Sequence, residues 1–334
     1  MSTARVSVTI PTYNRAARLR VALRSVLEQS FTDIEVFVSD NASDDDTAGV
    51  VKSFDDPRVH YLRNEHNLGH FANLSRGLHL GDAPYVAILP DDDFMLAGHL
   101  ANKVRVLDEH PEAGLVHSAF RRVVQHRDGT TASSRDEYPG GEEHWVAPAP
   151  EVLRRLLTER YYISYATALF RRSIIRPDEE FAPRDKTADD VGLSLRLVLG
   201  TGAVAYDAEP DIAITWHEAA HLTTMGGQGL LDDAYVQTLG SLENEFRVKR
   251  EFVDVAGPQL HDAAGLRAGL DARMRAEFLR SIKRRTRTRR RTEVARLYVE
   301  AARLDPAFVT YRPALRYLAS TLAGPLARRG RARA

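Results

Sequence analysis

The sequence predicts an α/β fold: a mostly parallel sheet flanked by helices, with a C-terminal helical extension. Three observations carry that reading. Apolar or alternating runs at 6–10, 34–39, 59–62 and 85–89 are separated by stretches with helical spacing, the order that βαβ units produce. Three of these runs are followed by polar loops, Pro11–Asn14, Asp40–Asp46 and Pro90–Asp93. Ligands of an open parallel sheet bind beyond the carboxyl ends of its strands, so three polar loops on one edge make a site. After about Gly229 the spacing is helical throughout.

Taken in order, Val6–Ile10 alternates and runs into Pro11, so it reads as a strand ending at a loop. Arg15–Gln29 places Leu19, Ala22, Leu23, Val26 and Leu27 at helical spacing. Ile34–Ser39 is a second strand, followed by the polar turn and a helix to Phe54. Val59–Leu62 is a third strand, Phe71–Leu80 a helix, and Tyr85–Leu89 a fourth strand that stops at Pro90. Gly98–His110 predicts a helix, and Gly114–Val124 a strand carrying Val116, Ala119 and Phe120. Gln125–Pro150 is rich in Gly, Ser, Asp, Glu and Pro, the composition of a loop or flap. A helix over Glu151–Glu159, a strand over Ala166–Phe170 and a helix over Asp189–Leu199 follow. Ala203–Tyr206 and Ile212–Trp216 are the last strands. The Gly226-Gly227-Gln228-Gly229 stretch divides the sheet domain, 1–228, from a basic helical region, 229–334. In that region Arg296–Leu304 and Pro313–Leu322 form an amphipathic pair, with Leu297, Val299, Ala301, Leu304, Leu315, Leu318 and Leu322 available for packing. Residues 328–334 are expected to be disordered.

At 334 residues with 43% hydrophobic and 28% charged side chains, the chain has enough apolar material for a full core and about two domains. The absence of cysteine excludes disulfides and thiolate metal sites, and suits a reducing cytosol. No secretory apolar region precedes Val6, and no apolar run approaches the ~20 residues that cross a bilayer. A cytoplasmic protein, or one peripheral at the inner face of a membrane, is expected. The net charge of zero hides an asymmetry: 19 Lys/Arg against 5 Asp/Glu lie from Arg267 onward. The run Lys283–Arg291 suits an anionic membrane surface, a phosphorylated acceptor or nucleic acid, of which nucleic acid is the least expected, and a solvated helical surface is the bland alternative. The helix pair offers a contact with the sheet domain or with a second copy in a homo-oligomer.

Asp91-Asp92-Asp93 follows a strongly apolar strand. Adjacent carboxylates repel, and three together are costly unless a cation or several donors offset them. Oxygen-only ligation suits Mg²⁺ or Mn²⁺, which keep waters and share substrate phosphate oxygens. A solvated acidic turn is the bland alternative, and the position after a buried strand weighs against it.

Here a resemblance becomes specific. Val6-Ser-Val-Thr-Ile-Pro-Thr-Tyr-Asn-Arg15 resembles the opening strand and loop of glycosyltransferase family 2. Ser39-Asp-Asn-Ala-Ser-Asp-Asp-Asp-Thr47 is similar to that family's second acidic turn. Asn67-Leu-Gly69 with Asn73 resembles the segment before its metal motif, and Leu89-Pro-Asp-Asp-Asp93 its D-x-D loop. The resemblance implies a GT-A (Rossmann-like) domain over 1–228. It also implies inverting, metal-dependent transfer from a UDP-, dTDP- or GDP-sugar to an acceptor hydroxyl. The acceptor would be a polysaccharide, a lipid-linked saccharide or a secondary metabolite. Pro11, Thr12 and Tyr13 would border the nucleotide, with Arg15, Asn67, Gly69 and Asn73 in the same binding set. Asp40 would accept a hydrogen bond from the base, and Asp45 holds the later acidic position of that turn. Asp93 would bind Mn²⁺ or Mg²⁺ most directly, with Asp91 beside it. Asp91 or Asp92 would take the ribose or sugar.

Inversion needs a group that accepts the proton of the attacking hydroxyl. Thr187-Ala-Asp-Asp190, just before a helix, resembles the family's later acidic pair, which implies Asp190 as base and Asp189 as supporting acid. Asp stands at 189 where Glu is common, a side chain one methylene shorter. An N-cap is the structural alternative for both. Trp216-His-Glu-Ala-Ala-His221 offers His217 or His221 to the metal or a phosphate. Arg171–Arg172 would meet phosphate or acceptor, or line a surface. Acceptor specificity is expected from Gln125–Pro150 and Tyr161–Tyr165. A nucleotidyltransferase or pyrophosphorylase would carry a glycine-rich basic loop after the first strand, and Pro11–Arg15 has no glycine. A non-catalytic glycan- or polyanion-binding module would not need intact acidic motifs.

Overall fold

The computed structural model describes residues 4–126, 130–181, 189–217, 239–285 and 291–322. The chain divides into two compact units, Met1–Gln228 and Gly229–Ala334. In the first unit β1 (Val6–Thr12), α1 (Ala16–Leu27), β2 (Ile34–Asp40), α2 (Thr47–Lys52), β3 (Val59–Arg63), α3 (His70–Leu78) and β4 (Tyr85–Ile88) alternate. They are followed by β5 (Phe94–Met95), α4 (His99–Glu109), β6 (Ala113–Ser118), β7 (Phe120–Gln125), β8 (Thr131–Glu137), β9 (Trp145–Pro148) and α5 (Ala149–Thr158). A 3₁₀ turn leads into β10 (Ala168–Arg171), and α6 (Asp189–Leu199), β11 (Ala203–Asp207) and β12 (Ile212–His217) come last.

An eight-stranded sheet has the order β3-β2-β1-β4-β10-β6-β11-β9, and a four-stranded sheet the order β5-β12-β7-β8. The neighbours β3, β2, β1 and β4 run parallel, whereas β10 is antiparallel to β4 and β6. The central strands β1, β2 and β4 are buried on both faces, with Val6, Val8, Ile10, Val36, Val38, Val86 and Ile88 fully covered, as an α/β sheet requires, while the edge strand β3 is only partly covered. Leu19, Ala22, Leu23 and Val26 put one face of α1 into the same core. On α3, Gly77 lets the helix approach β1: a Cβ there would meet the Thr9 side chain at 2.9 Å.

Three expectations are corrected. Gly114–Val124 is two strands in two sheets, because the chain leaves the larger sheet at Ala119. Gln125–Pro150 is not all loop, since β8 and β9 lie within it. Both are edge strands, where polar residues are tolerated and the apolar signal fades. Arg171 and Arg172 are structural. Arg171 donates to the carbonyls of Ala113, Leu107 and His110, and Arg172 to those of Ala83 and Leu80.

Two buried polar clusters brace the unit. Asp211, just before β12, accepts Lys103 Nζ at 2.9 Å and lies 2.8 Å from His99 Nδ1, tying α4 to the smaller sheet. Burial opposes ionisation of Asp211, but Lys103 and His99 hold its pKa below the ordinary value. On β6, fully buried His117 meets Tyr161 Oη at 2.5 Å and packs against Trp145 and Tyr206. Burial, then the charges of Lys103 and Arg155, push the His117 pKa down to about 3. The unfolded chain therefore takes up this proton first, and stability is lost as pH falls from about 6.5 towards 3. The expected slope from this histidine is about 1.4 kcal/mol per pH unit. Thermal melts between pH 7 and 4 should show it, and His117→Gln should flatten it.

The second unit contains α7 (Leu239–Ala256), α8 (Ala263–Arg285), α9 (Arg291–Leu304) and α10 (Arg312–Leu322). Its core gathers Phe246, Leu270, Met274, Phe278, Leu297, Ala301 and Phe308. Val299 and Leu315, expected to pack, are instead exposed on the unit's surface. Residues 286–290 of the basic run, 323–334, and the glycine-rich boundary lie outside the described residues. No helix among the described residues is long and apolar enough to cross a membrane.

Candidate active site

One cleft of about 750 Å³ lies beyond the carboxyl ends of β1 and β4. The first loop lines it with Pro11, Thr12, Tyr13 and Arg15, and the acidic loop with Pro90–Asp93. Asn41, Asn67, Gly69, His70, Asn73, Leu74, Ser164–Ala166, Ile214 and Thr215 complete the wall. Strand register explains the meeting of the two loops. Thr9 pairs with Ile88, so three residues further along each chain Thr12 reaches Asp91. Thr12 Oγ1 donates to Asp91 Oδ2 at 2.7 Å.

Arg15 Nη1 donates to Asp91 Oδ1 at 2.9 Å and to Asp92 Oδ2 at 3.1 Å. Asp93 Oδ1 accepts the Thr215 N–H at 2.7 Å, which ties the acidic loop to β12. Asp91 and Asp93 are only 4% and 5% exposed. Burial raises both carboxyls above the ordinary range. At Asp91 the Arg15 charge pulls back, while at Asp93 the Asp92 charge adds to the rise. Such a loop is relieved by a cation. Among the described residues no three His, Asp or Glu side chains form a ready cage. The oxygen donors of Asp91 and Asp93 fit Mg²⁺ or Mn²⁺, which bind through one or two carboxylates together with waters and substrate phosphate.

The remaining expected residues divide into lining and support. Asp40, in register with Thr12 and Arg63, is fully buried and is not part of the wall. Its Oδ1 accepts Ser43 N–H (2.9 Å) and Oγ (2.5 Å), and its Oδ2 accepts Tyr61 Oη (2.5 Å) and Arg63 Nη1 (3.3 Å). Asp45 also lies off the wall and joins two helix starts: it accepts Ala16 N–H at 2.8 Å and Thr47 N–H at 3.1 Å. Burial works against the Asp45 carboxylate, and bonds from Thr47 and Ala16 nevertheless lower its pKa. Asn73 stitches α3 to β2, accepting Ser39 Oγ (2.8 Å) and donating to Ser39 O (2.9 Å). Asn41 Nδ2 donates to Asn67 Oδ1 (2.8 Å), fixing the turn in which Gly69 adopts φ +87°, a conformation that suits glycine.

Asp189 and Asp190 open α6, and His217 closes β12 opposite Gln125. The side chains of all three, together with Thr187, Ala188 and His221, lie outside the described residues. Sequence reasoning missed His70, Asn41 and Thr215. His70 reaches solvent, yet surrounding bulk and then the Arg15 charge hold its pKa below the ordinary value. Its neighbours Asn67–Gly69 were the available signal. Thr215 acts through its backbone, which no side-chain motif reveals.

Helix α6 is braced through Arg196. Buried Glu179 accepts Arg196 Nε at 2.6 Å, and Arg196 also donates to Glu180 O at 2.6 Å. Phe181 N–H donates to Ser75 Oγ (2.9 Å), and the Phe181 ring packs edge-on against the cleft-lining Tyr165. Arg196→Met leaves the Glu179 carboxylate buried without its main partner. A loss of about 3 kcal/mol is expected in urea unfolding, with a smaller loss for Arg196→Lys.

The family model described as "Glycosyl transferase family 2" matches residues 7–177. A Campylobacter jejuni GalNAc(5)-diNAcBac-PP-undecaprenol β-1,3-glucosyltransferase is 37% identical over 108 residues, 31% of this chain and 35% of that protein. An Escherichia coli UDP-Glc:α-D-GlcNAc-diphosphoundecaprenol β-1,3-glucosyltransferase, WfgD, is 29% identical over 102 residues, 30% of this chain and 40% of that protein. The matches thus span well under half the length of these two relatives. The crystal structure of S. aureus TarS 1–349 in complex with UDP-GlcNAc superposes with a TM-score of 0.52 at 17% identity. It covers 84% of this chain and 81% of that one, a likeness of fold.

Proposed function

The chain belongs to glycosyltransferase family 2 and has its GT-A fold, and from that premise we propose an inverting transfer of a sugar from a nucleoside-diphosphate donor to an acceptor hydroxyl. The observation that carries this reading is the buried acidic loop, joined to the first loop through Thr12 and Arg15 inside one cleft. In the proposed reaction the acceptor oxygen attacks the anomeric carbon from the face opposite the diphosphate. The bond from that carbon to the diphosphate oxygen breaks as the new one forms, and the acceptor proton passes to Asp190, supported by Asp189. Asp93, Asp91 and His217 would hold Mn²⁺ or Mg²⁺, whose chemistry here is to neutralise charge on the departing diphosphate.

Pro11, Thr12 and the exposed ring of Tyr13 border the nucleotide, the ring offering an apolar face to the base. Because Asp40 is fully buried and off the wall, it meets a pyrimidine N3–H only once the half-exposed Arg63 side chain, its longest contact at 3.3 Å, swings away. Asn67, Gly69 and Asn73 line the cleft beside the nucleotide, and Asp45 serves it by holding the starts of α1 and α2. Asp92 is available to the ribose or sugar. The two glucosyltransferase relatives are named for saccharides on undecaprenyl diphosphate, which supports a lipid-linked saccharide as acceptor and action at a membrane face. The test is release of nucleoside diphosphate from a panel of UDP-, dTDP- and GDP-sugars, with and without Mn²⁺, in the presence of lipid-linked saccharides. Silence across the whole panel with folded protein would remove the reading.

A further inference from the structure

We infer that Arg15 is a resident counter-cation of the acidic loop, held on Asp91 and Asp92 until a donor diphosphate draws it away, so that the divalent ion loads with the donor rather than alone. This rests on the transferase reading above. The guanidinium bonds both carboxylates through one nitrogen, at 2.9 and 3.1 Å. Arg18 Nη1, 3.9 Å from Asp92, adds a second positive charge. A divalent ion approaching Asp91 therefore meets a carboxylate whose Oδ2 is taken by Thr12 and whose Oδ1 is taken by a cation. Like charge repels it, and the bond to Arg15 must break.

The same geometry gives Arg15 somewhere to go. Its backbone is fixed at the start of α1, where Asp45 caps the next residue, Ala16, at 2.8 Å. Its side chain is 45% exposed and lines the cleft. A diphosphate is a stronger partner for a guanidinium than a carboxylate already shared with Thr12, because it presents several charged oxygens to the planar fork. Moving Arg15 onto the diphosphate frees Asp91 and Asp92 at the moment when phosphate oxygens become available as metal ligands. Binding of ion and donor is then positively coupled, and coupling of this kind is reciprocal.

The experiment is a Mn²⁺ titration followed by the EPR signal of free Mn²⁺, on wild type, Arg15→Gln and Arg15→Lys. Each is measured alone and with saturating UDP or GDP, after far-UV circular dichroism has shown it folded. Arg15→Gln alone is expected to bind Mn²⁺ about tenfold more tightly than wild type, and Arg15→Lys to stay near wild type. With nucleotide present, the gap between wild type and Arg15→Gln should close to within about threefold. Equal or weaker Mn²⁺ binding by Arg15→Gln alone overturns this inference and leaves the metal role intact. No Mn²⁺ binding by any of the three, with or without nucleotide, overturns both. A tenfold gap that closes with nucleotide, beside an empty donor panel, supports the counter-cation and removes the transferase reading.

Discussion

Asp93→Asn is expected to lower turnover about 10²–10³-fold in saturating Mn²⁺, while leaving the protein at least as heat-stable as the wild type. The two halves of this result come from one feature. Asp93 is buried beside Asp91 and Asp92, and its pKa is raised by burial and by the Asp92 charge. A folded state that holds a proton more tightly than the unfolded chain loses stability as pH rises through the carboxylate range. At neutral pH the ionised side chain is thus a cost to folding. Asparagine keeps the volume and an oxygen that accepts the Thr215 N–H, and it removes the charge. If the carboxylate is there for a cation, its loss removes charge neutralisation at the leaving diphosphate without harm to the fold. The measurement pairs steady-state rates over a Mn²⁺ series with melting temperature at pH 7. Full metal-dependent turnover by Asp93→Asn would sink the assignment, and a large fall in melting temperature would make the residue structural.

Asp190→Asn should reduce kcat about 10²–10⁴-fold with the donor KM within a few-fold of wild type. A base acts only as the acceptor hydroxyl loses its proton, so its removal raises the barrier and leaves donor binding alone. A purely structural role in the first turn of α6 predicts a different pattern, because losing a carboxylate near a helix N-terminus costs about 0.3–1 kcal/mol of stability and activity would survive. Comparing kcat, KM and unfolding free energy for Asp190→Asn separates the two roles of a residue that opens α6. Rates close to wild type from a folded variant would transfer the base role elsewhere. The parallel change Asp189→Asn distinguishes the supporting acid, for which a smaller fall in kcat is expected.

What the sequence determined by itself was local periodicity and chain order. Strands buried on both faces, such as 6–10 and 85–89, and the one-sided helix after Arg15 declare themselves through apolar spacing. Their alternation already implied a parallel sheet with polar loops on one edge. The acidic loop and the Pro11–Arg15 loop were legible for the same reason, being polar stretches directly after apolar ones. Edge strands β8 and β9 were not, because a half-solvated edge carries little apolar signal. Tertiary structure alone decided which of the acidic side chains face the cleft. Register brings Thr12 onto Asp91, seventy-nine positions away in the chain. It also places Asp40 beneath four donors rather than on the wall, and turns Asp45 into a cap for two helices. These outcomes depend on pairings between distant segments. A carboxylate's surroundings, unlike its place in a motif, are set by what the rest of the chain packs around it.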